Sequence, residues 1–308
     1  METAPQATWR WQIAAYLFLA GTGAGAFILG VVSDFKGYAI PAKIAMTFGT
    51  PVVAFSTVFL ILDLGHPEKF FKAIMHPGTS WISRGVFILS GLITLGGLIV
   101  ALWVWPFGGV LEANPSLRAL LEIIALLFAV ATCIYTGILI GIVISRPFWN
   151  NPLLPMLFLV SALSTGIGGI FFITPIASSV FGIASAQTVE YLSYLESVDM
   201  LLIVIEAIAM YLYMTVVFSR APEAVNLLIK GQLSRQFWVG FVVIGLVIPL
   251  GMGYFASMLP ADTGRSLVML VAGILLLIGG FMMRQLILAA GIRSPLVART
   301  AFRVRPGV

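Results

Sequence analysis

The sequence between residues 85 and 105 reads GVFILSGLITLGGLIVALWVW, a run without a charged side chain. An α-helix needs roughly 20 mostly apolar residues to cross the hydrocarbon core of a bilayer, so this run is long enough to span a membrane. Similar runs precede and follow it. The eight predicted spans, numbered 1 to 8 in chain order, are residues 11–32, 43–64, 83–105, 118–144, 153–176, 198–219, 236–259 and 264–290.

The composition agrees with a chain that lies almost entirely in the bilayer. Of the 308 residues, 60% are hydrophobic and 9% are charged, whereas soluble domains carry about 25% charged residues. The longest predicted connections, near 65–82 and 177–197, are too short to fold as separate domains. We therefore predict an all-α integral membrane protein that leaves bulky catalytic machinery to another chain. Only Arg10 precedes span 1, which is too long for the core of a signal peptide, so we expect it to be retained.

The basic residues predict the orientation. Eight spans place both termini on one side, which we call face N. The basic residues assigned to face N are Arg10, Lys69, Lys72, Arg84, Arg146, Arg220, Lys230, Arg235, Arg284, Arg293, Arg299, Arg303 and Arg305, and those assigned to the opposite face are Lys36, Lys43, Arg118 and Arg265. This excess predicts that face N and both termini are cytoplasmic. A docking face for an acidic partner would also be basic, so that alternative stays open. Because the basic residues lie at helix ends, the pI of 9.5 does not indicate nucleic-acid binding.

A weak internal repeat predicts two four-helix bundles. Spans 2 and 6 are both followed by a Pro-Glu pair, and spans 3 and 7 both open with a Ser-Arg pair. We expect residues 1–150 to form a first bundle of spans 1–4. Residues 151–308 would form a second bundle of spans 5–8 with a short basic C-terminal tail.

The chain offers few ligands for a redox metal. Its two histidines, His66 and His76, both fall in the connection between spans 2 and 3, and its one cysteine, Cys133, falls in span 4. Haem b needs histidines on facing transmembrane helices, and iron–sulfur clusters need several cysteines. We therefore expect neither group in this chain. If the protein handles electrons, the carrier is an organic molecule dissolved in the lipid, for which quinone is the plain candidate.

The densest group of polar residues surrounds the end of span 2 and the start of span 3. Asp63 lies in the last turn of span 2, His66 follows it in the connection, and Arg84 lies in the first turn of span 3. All three are therefore expected at the same depth on face N. A carboxylate, an imidazole and a guanidinium there could bind a quinone carbonyl and exchange its protons. The alternative is a structural Asp–Arg pair with an interfacial histidine.

Tyr135 is the second candidate in this half of the chain. It lies about ten residues from the face-N end of predicted span 4, hence roughly 15 Å deep. A buried phenol needs a hydrogen-bond partner. That partner could be a quinone oxygen or a neighbouring carbonyl.

Charged residues within spans mark functional sites by default, because they are costly in hydrocarbon. Asp199 and Glu206 lie seven residues apart on one face of span 6. Glu122 in span 4 and Arg284 in span 8 complete the set. A proton path through these four residues is one interpretation. A Glu206–Arg284 tie, or hydrogen bonds to Ser and Thr, is the other.

Several stretches resemble the NrfD/polysulfide reductase membrane subunit family, the quinone-interacting anchors of molybdopterin oxidoreductases and related respiratory complexes. The matching stretches are YLFLAGTGAG at 16–25, DLGHPEKF at 63–70, YTG at 135–137, FWNNPLLP at 148–155 and SALSTG at 161–166. The resemblance covers nearly the whole chain in the right order.

The resemblance implies a function. Family members hold quinone, menaquinone or ubiquinone, near the face that docks a ferredoxin-like iron–sulfur subunit, which connects to a catalytic, typically molybdopterin, subunit. Asp63 and Tyr135 would line the quinone site, with Arg84 and His66 as neighbours, although the position of His66 often carries arginine. The protein would then serve anaerobic respiration in a prokaryotic inner membrane. Many relatives dock their partners outside the cytoplasm, whereas the charge count places face N inside.

Two other functions compete with this one. A secondary transporter could use Glu206 and Asp199 as coupling residues, and it would need broken helices at matched mid-membrane positions. Pro175 and Pro249 are expected near helix ends, which argues against it. A passive tether for another enzyme would bind no quinone at all.

Overall fold

The structure, a computed structural model, describes residues 5–6, 9, 11–63, 80–181, 186–260 and 263–293. These residues contain eight helices that are long and apolar enough to cross a membrane, and no strand. In chain order, spans 1 to 8 are Trp11–Phe35, Ala39–Asp63, Trp81–Trp103, Pro115–Gly141, Leu153–Phe181, Ala186–Phe218, Gln236–Ser257 and Thr263–Ala289. The predicted all-α, eight-span membrane fold is confirmed.

Within the described residues, two short helices join neighbouring spans. Val110–Ala113 lies between spans 3 and 4, on the face opposite face N. Pro222–Ile229 lies between spans 6 and 7, on face N. Its buried residues, Ala224, Val225, Leu227 and Leu228, recur at helical spacing, and Glu223 on the other side is exposed. This pattern is typical of a helix that lies along a surface with its apolar side inward.

Span 1 is the central helix of the arrangement. Most of its residues are buried, and it packs against spans 2, 4, 5 and 8. Span 5 is also in contact with spans 2, 4, 6 and 8. The two predicted halves of the chain, 1–150 and 151–308, are therefore in extended contact through spans 1 and 5. The grouping into two four-helix bundles stays a prediction.

The glycines of span 1 allow this close packing. A Cβ atom at Gly23 would lie 2.6 Å from the carbonyl oxygen of Gly49 in span 2. A Cβ atom at Gly25 would overlap the backbone of Ala162 in span 5. Small residues let helix backbones approach closely in membranes. The Gly21–Gly25 stretch thus has the packing role typical of small residues in membrane helices.

Span 6 begins earlier than predicted. The prediction began the span at residue 198, but the helix extends back to Ala186. Glu196 in the added turns pairs with Arg265 of span 8 at 2.6 Å. The Tyr191 hydroxyl donates to the Leu29 carbonyl of span 1 at 2.8 Å. Tertiary contacts therefore hold polar residues in a helix where the sequence suggests a loop, and the connection between spans 5 and 6 is residues 182–185.

Span 7 differs from the other spans in its winding. Residues Gln236–Val247 form a π-helix, and an α-helix continues from Ile248 to Ser257. Pro249 lies at this junction and not near the end of the span, so the predicted position was wrong. Proline has no N–H, so Pro249 donates no hydrogen bond to the preceding π-helical turn, and the winding changes from π to α at this position. The helix therefore continues through Pro249.

Candidate functional site

The corner between spans 2 and 3 is described in part. Asp63 is the last residue of the span 2 helix, as the sequence predicts. Its side chain and the whole of His66 lie outside the described part of the protein. Arg84 lies in the first turn of span 3, half-buried, with its guanidinium carbon 4.6 Å from the centroid of the Trp81 ring. Asp63 and Arg84 thus occupy the predicted helix ends on face N.

Tyr135 lies beside the start of span 3. Its side chain is 3% exposed, and its ring lies against the backbone of Gly85, where a Cβ atom would overlap the ring and hydroxyl. Because the span 4 helix ends at Gly141, Tyr135 lies only roughly 9 Å along the axis from that end. It is therefore nearer to face N than predicted. The structure brings together the spans that carry Tyr135 and Arg84.

Span 1 adds two polar residues that the sequence analysis missed. The Tyr16 hydroxyl and the side-chain oxygen of Gln12 are both buried, and neither has a hydrogen-bond partner among the described residues. The two residues are four apart and so lie on one face of the helix. Tyr16 is within electrostatic reach of Tyr135. The only signal in the sequence is this pair of polar residues in the first turns of an apolar helix.

The connection between spans 4 and 5 fixes the helix ends on face N. The Trp149 indole N–H donates to the Ile287 carbonyl of span 8 at 2.7 Å, and the Tyr213 hydroxyl of span 6 donates to the Phe148 carbonyl. The Arg146 guanidinium donates to the Gly291 carbonyl. Burial and the charge of Arg293 lower the pKa of Arg146. The stretch 148–155 therefore has a structural role in joining spans 4, 6 and 8.

Arg284 is enclosed within the membrane-spanning part. It is fully buried, and its Nη1 donates to the Gly280 carbonyl at 2.9 Å and to the Ser161 hydroxyl at 3.1 Å. Its Nε and Nη2 have no partner among the described residues. A Cβ atom at Gly21 would lie 2.8 Å from Nη2, so the glycine makes room for the guanidinium.

The positive charge of Arg284 therefore lies within span 8 and not in a loop at face N. It lies five residues before the end of span 8 at Ala289 and was counted with face N in the sequence. Removing it from the thirteen assigned there leaves twelve, against four on the opposite face. The direction of the charge bias is unchanged.

Ser161 connects Arg284 to Glu206. Glu206 is 4% exposed and interacts with both the Ser161 hydroxyl and the charge of Arg284. Among the ion pairs of the described residues there is none between Glu206 and Arg284. One turn further along span 5, the Ser164 hydroxyl donates to the carboxylate of Asp199 at 3.0 Å. The two serines thus contact Asp199 and Glu206, two of the three acids that are buried in span 6.

Glu122 belongs to a different group. It lies seven residues into span 4, near the face opposite face N, and is fully buried. The charged side chains beside it are Asp34 of span 1 and Arg118 of span 4. Arg118 and Asp34 form an ion pair at 3.1 Å. The four residues predicted to form a proton path therefore fall in two places.

Comparison with known proteins identifies the family. The family model described as "Polysulphide reductase, NrfD" matches residues 1–295, almost the whole chain. The protein belongs to this family. It is 31% identical to a polysulfide reductase chain of Wolinella succinogenes, over 79% of this sequence and 81% of that protein. It is 27% identical to protein NrfD of Escherichia coli, over 92% and 94%. It is 23% identical to a selenate reductase subunit of Mesobacillus selenatarsenatis, over 94% and 75%.

Family membership confirms the coarse functional prediction. The NrfD family comprises membrane subunits of oxidoreductase complexes, and the names of two relatives identify each of them as one component of a reductase that has several. Together with the eight apolar spans, this makes the protein a multi-pass membrane protein of a family of reductase subunits. The predicted resemblance to the family is therefore correct over nearly the full length.

Proposed function

We propose that this protein exchanges electrons and protons between a membrane quinone and a docked iron–sulfur subunit. Quinone, either menaquinone or ubiquinone, would bind at face N between spans 1, 3 and 4. The residues that would hold it are Tyr135, Tyr16, Gln12, Arg84, Asp63 and His66. The iron–sulfur subunit would in turn connect the quinone site to a catalytic, molybdopterin-containing subunit.

One observation carries the proposal: the oxygens of Tyr16 and Gln12, buried and without a partner in the described part of the chain, lie on the helix face near Tyr135. Buried polar groups are nearly always hydrogen-bonded, so each exception needs an explanation. A quinone carbonyl would accept a hydrogen bond from the Tyr16 hydroxyl, and a hydroxyl of the reduced quinol would donate to the Gln12 oxygen. The residues present thus fit a quinone headgroup.

The side chains have separate tasks in this proposal. Bound quinone supplies reversible uptake of electrons and protons. Tyr135 and Tyr16 orient the headgroup through their hydroxyl groups, and the closeness of Gly85 to Tyr135 holds that ring in one position. Asp63, at the membrane surface, is the residue that would transfer protons to and from water. The guanidinium of Arg84 would stabilise the negative charge that develops on a quinone oxygen.

Activity measurements on the whole complex test the proposal. Tyr135→Phe should lower quinone-linked turnover by about tenfold, the effect of one lost hydrogen bond of about 1.4 kcal/mol. Asp63→Asn should lower it by about a hundredfold, the effect of a lost proton-transfer group. Turnover with a soluble artificial dye should be unchanged, because the dye reacts at the catalytic subunit. Tyr254→Phe is the control, since Tyr254 is 62% exposed in span 7. Equal loss with quinone and with dye would mean that these residues are structural.

Purification distinguishes the proposal from its rivals. A quinone-linked subunit should co-elute with an iron–sulfur protein and should bind quinone. A secondary transporter would purify alone and accumulate a solute in vesicles. A passive tether would co-elute with its enzyme and bind no quinone.

The proposed orientation places face N and both termini in the cytoplasm of a prokaryotic cell, with the spans crossing the inner membrane. The excess of basic residues on face N supports it. Fusion of alkaline phosphatase or a fluorescent protein to the C-terminus tests it. A fluorescent fusion without phosphatase activity is expected, and phosphatase activity would place face N outside.

Proton transfer through the interior is a second candidate function. Asp199, Ser164, Ser161 and Glu206 form a buried set beside Arg284, and hydroxyl groups between acids are a means of proton transfer. Glu206→Gln should then lower proton uptake coupled to quinone turnover in vesicles. The control is Glu223→Gln in the exposed part of the surface helix. Unchanged proton uptake in both variants would leave Glu206 with a structural role.

A further inference from the structure

We propose that Glu122 carries an exchangeable proton on the face opposite face N, and that Asp34 transfers this proton to and from water. The two residues lie in spans 4 and 1, away from the quinone site. This inference extends the proposed proton handling to the other side of the membrane. Its test uses neither quinone nor turnover.

The surroundings of Glu122 favour its neutral form. It is 0% exposed, no hydrogen-bond donor reaches either of its carboxyl oxygens among the described residues, and the side chain that faces it is the carboxyl of Asp34. An ionised carboxylate is very unfavourable in an apolar environment unless it is paired and hydrogen-bonded, whereas a protonated carboxyl carries no charge. Glu122 therefore holds a proton in the resting protein.

The neighbouring guanidinium is already engaged by another residue. The Nε of Arg118 lies 3.1 Å from Oδ2 of Asp34, whose side chain is 5% exposed. The Arg118 guanidinium also lies over the Trp103 ring, with 4.9 Å between its carbon and the ring centroid. Arg118 thus forms its ion pair with Asp34 and not with Glu122, although its charge also acts on Glu122.

The other elements packed around Glu122 bring no further unpaired charge to it among the described residues. Lys43 of span 2 also lies over Trp103, but it is paired at 2.5 Å with Glu112 of the short helix. This hydrogen bond lowers the pKa of Glu112. Span 3 contributes the indole N–H of Trp103, which is buried without a partner among the described residues. Span 5 contains no charged residue. Asp34 and Arg118 are therefore the groups that control the proton of Glu122.

The transfer step conserves charge. The O–H bond of Glu122 breaks, and the same proton forms an O–H bond on Asp34. The Arg118 guanidinium then pairs with the new carboxylate of Glu122 instead of Asp34. The three groups have a net charge of zero before and after, so no uncompensated charge is buried. Arg118 lies in the first turn of span 4 with its side chain 23% exposed, so water at the membrane surface can exchange the proton on Asp34 for one of its own, which keeps the net charge at zero.

Infrared spectroscopy of the membrane-reconstituted complex tests the proposal. Wild-type protein at neutral pH should show a carboxylic-acid C=O band that shifts in heavy water and that is missing from Glu122→Gln. Glu112→Gln, which changes the paired and more exposed glutamate of the same face, should leave that band intact. Asp34→Asn should slow the heavy-water shift by about a hundredfold, as expected when a proton-transfer group is removed.

A second variant distinguishes loss of the carboxyl group from misfolding. Glu122→Asp keeps the carboxyl group, so it should move the C=O band and not remove it. An unchanged band in Glu122→Gln would overturn the proposal, because Glu122 would then be ionised. A band that is lost in Glu122→Gln but does not shift in heavy water would also overturn it, because the proton would not exchange. A failure of the proposed quinone site would change none of these results, because none of the measurements uses quinone or turnover.

Discussion

The ring of Tyr135 lies directly against the backbone of Gly85, at the point where span 4 meets the first turn of span 3. No side chain larger than hydrogen fits at position 85 without moving this ring. Gly85 follows Arg84 in the sequence, so the contact fixes where Tyr135 lies relative to the start of span 3. The two candidate residues of this corner, Arg84 and Tyr135, are therefore positioned by one glycine.

Gly85→Ala should destabilise the protein and displace Tyr135. Forcing an extra carbon into a packed site typically costs about 1–3 kcal/mol. A lower melting temperature in detergent and a lower quinone-linked turnover are expected. Gly97→Ala is the matched control in the same helix, because a Cβ atom there meets nothing within 4 Å. Equal melting temperatures for the two variants would contradict the packing described for Tyr135.

Trp149→Phe should loosen the helix ends on face N. The variant keeps an aromatic ring but loses the hydrogen bond to the Ile287 carbonyl, leaving a buried acceptor unpaired at a cost of about 1–3 kcal/mol. Thermal unfolding followed by fluorescence measures the loss. The control is Trp105→Phe, since Trp105 is 77% exposed. If both variants have the melting temperature of the wild type, the 148–155 stretch does not join spans 4 and 8 as described.

Ser161→Ala should destabilise the interior polar group. The Ser161 hydroxyl accepts a hydrogen bond from Arg284 and interacts with Glu206, so its removal leaves two buried ionisable groups short of a partner. A loss of about 1–3 kcal/mol is expected from unfolding in denaturant. Ser193→Ala, in an exposed part of span 6 where the hydroxyl bonds only to its own helix, should be near neutral. A neutral Ser161→Ala would show that Ser161 does not connect Arg284 to Glu206.

The eight spans could be predicted from the sequence because length and apolar composition suffice to identify a membrane helix. The start of span 6 could not. Glu196 is unfavourable in an apolar helix until Arg265, 69 residues further along the sequence, pairs with it. A single sequence does not show which distant residue supplies that charge.

The candidate site was predictable only where a residue type is informative by itself. Tyr135 and Arg84 could be proposed because a phenol and a guanidinium stand out in apolar spans. The role of Tyr16 depends on its having no partner among the residues that the structure describes and on its lying near Tyr135, and both are tertiary facts. Glu122 was predicted to share a path with Glu206. Its neighbours, Asp34 and Arg118, come from helix ends on the opposite face and place it in a separate group.

Photo-crosslinking with an azidoquinone tests the central claim most directly. The complex is labelled in lipid nanodiscs, digested and mapped by mass spectrometry, with excess natural quinone as competitor. Competed adducts are expected on peptides that contain Gln12–Tyr16, residues 80–85 or Tyr135, together with at least a severalfold loss of labelling in Tyr135→Phe. Adducts confined to other parts of the protein, or labelling that natural quinone does not compete, would contradict it.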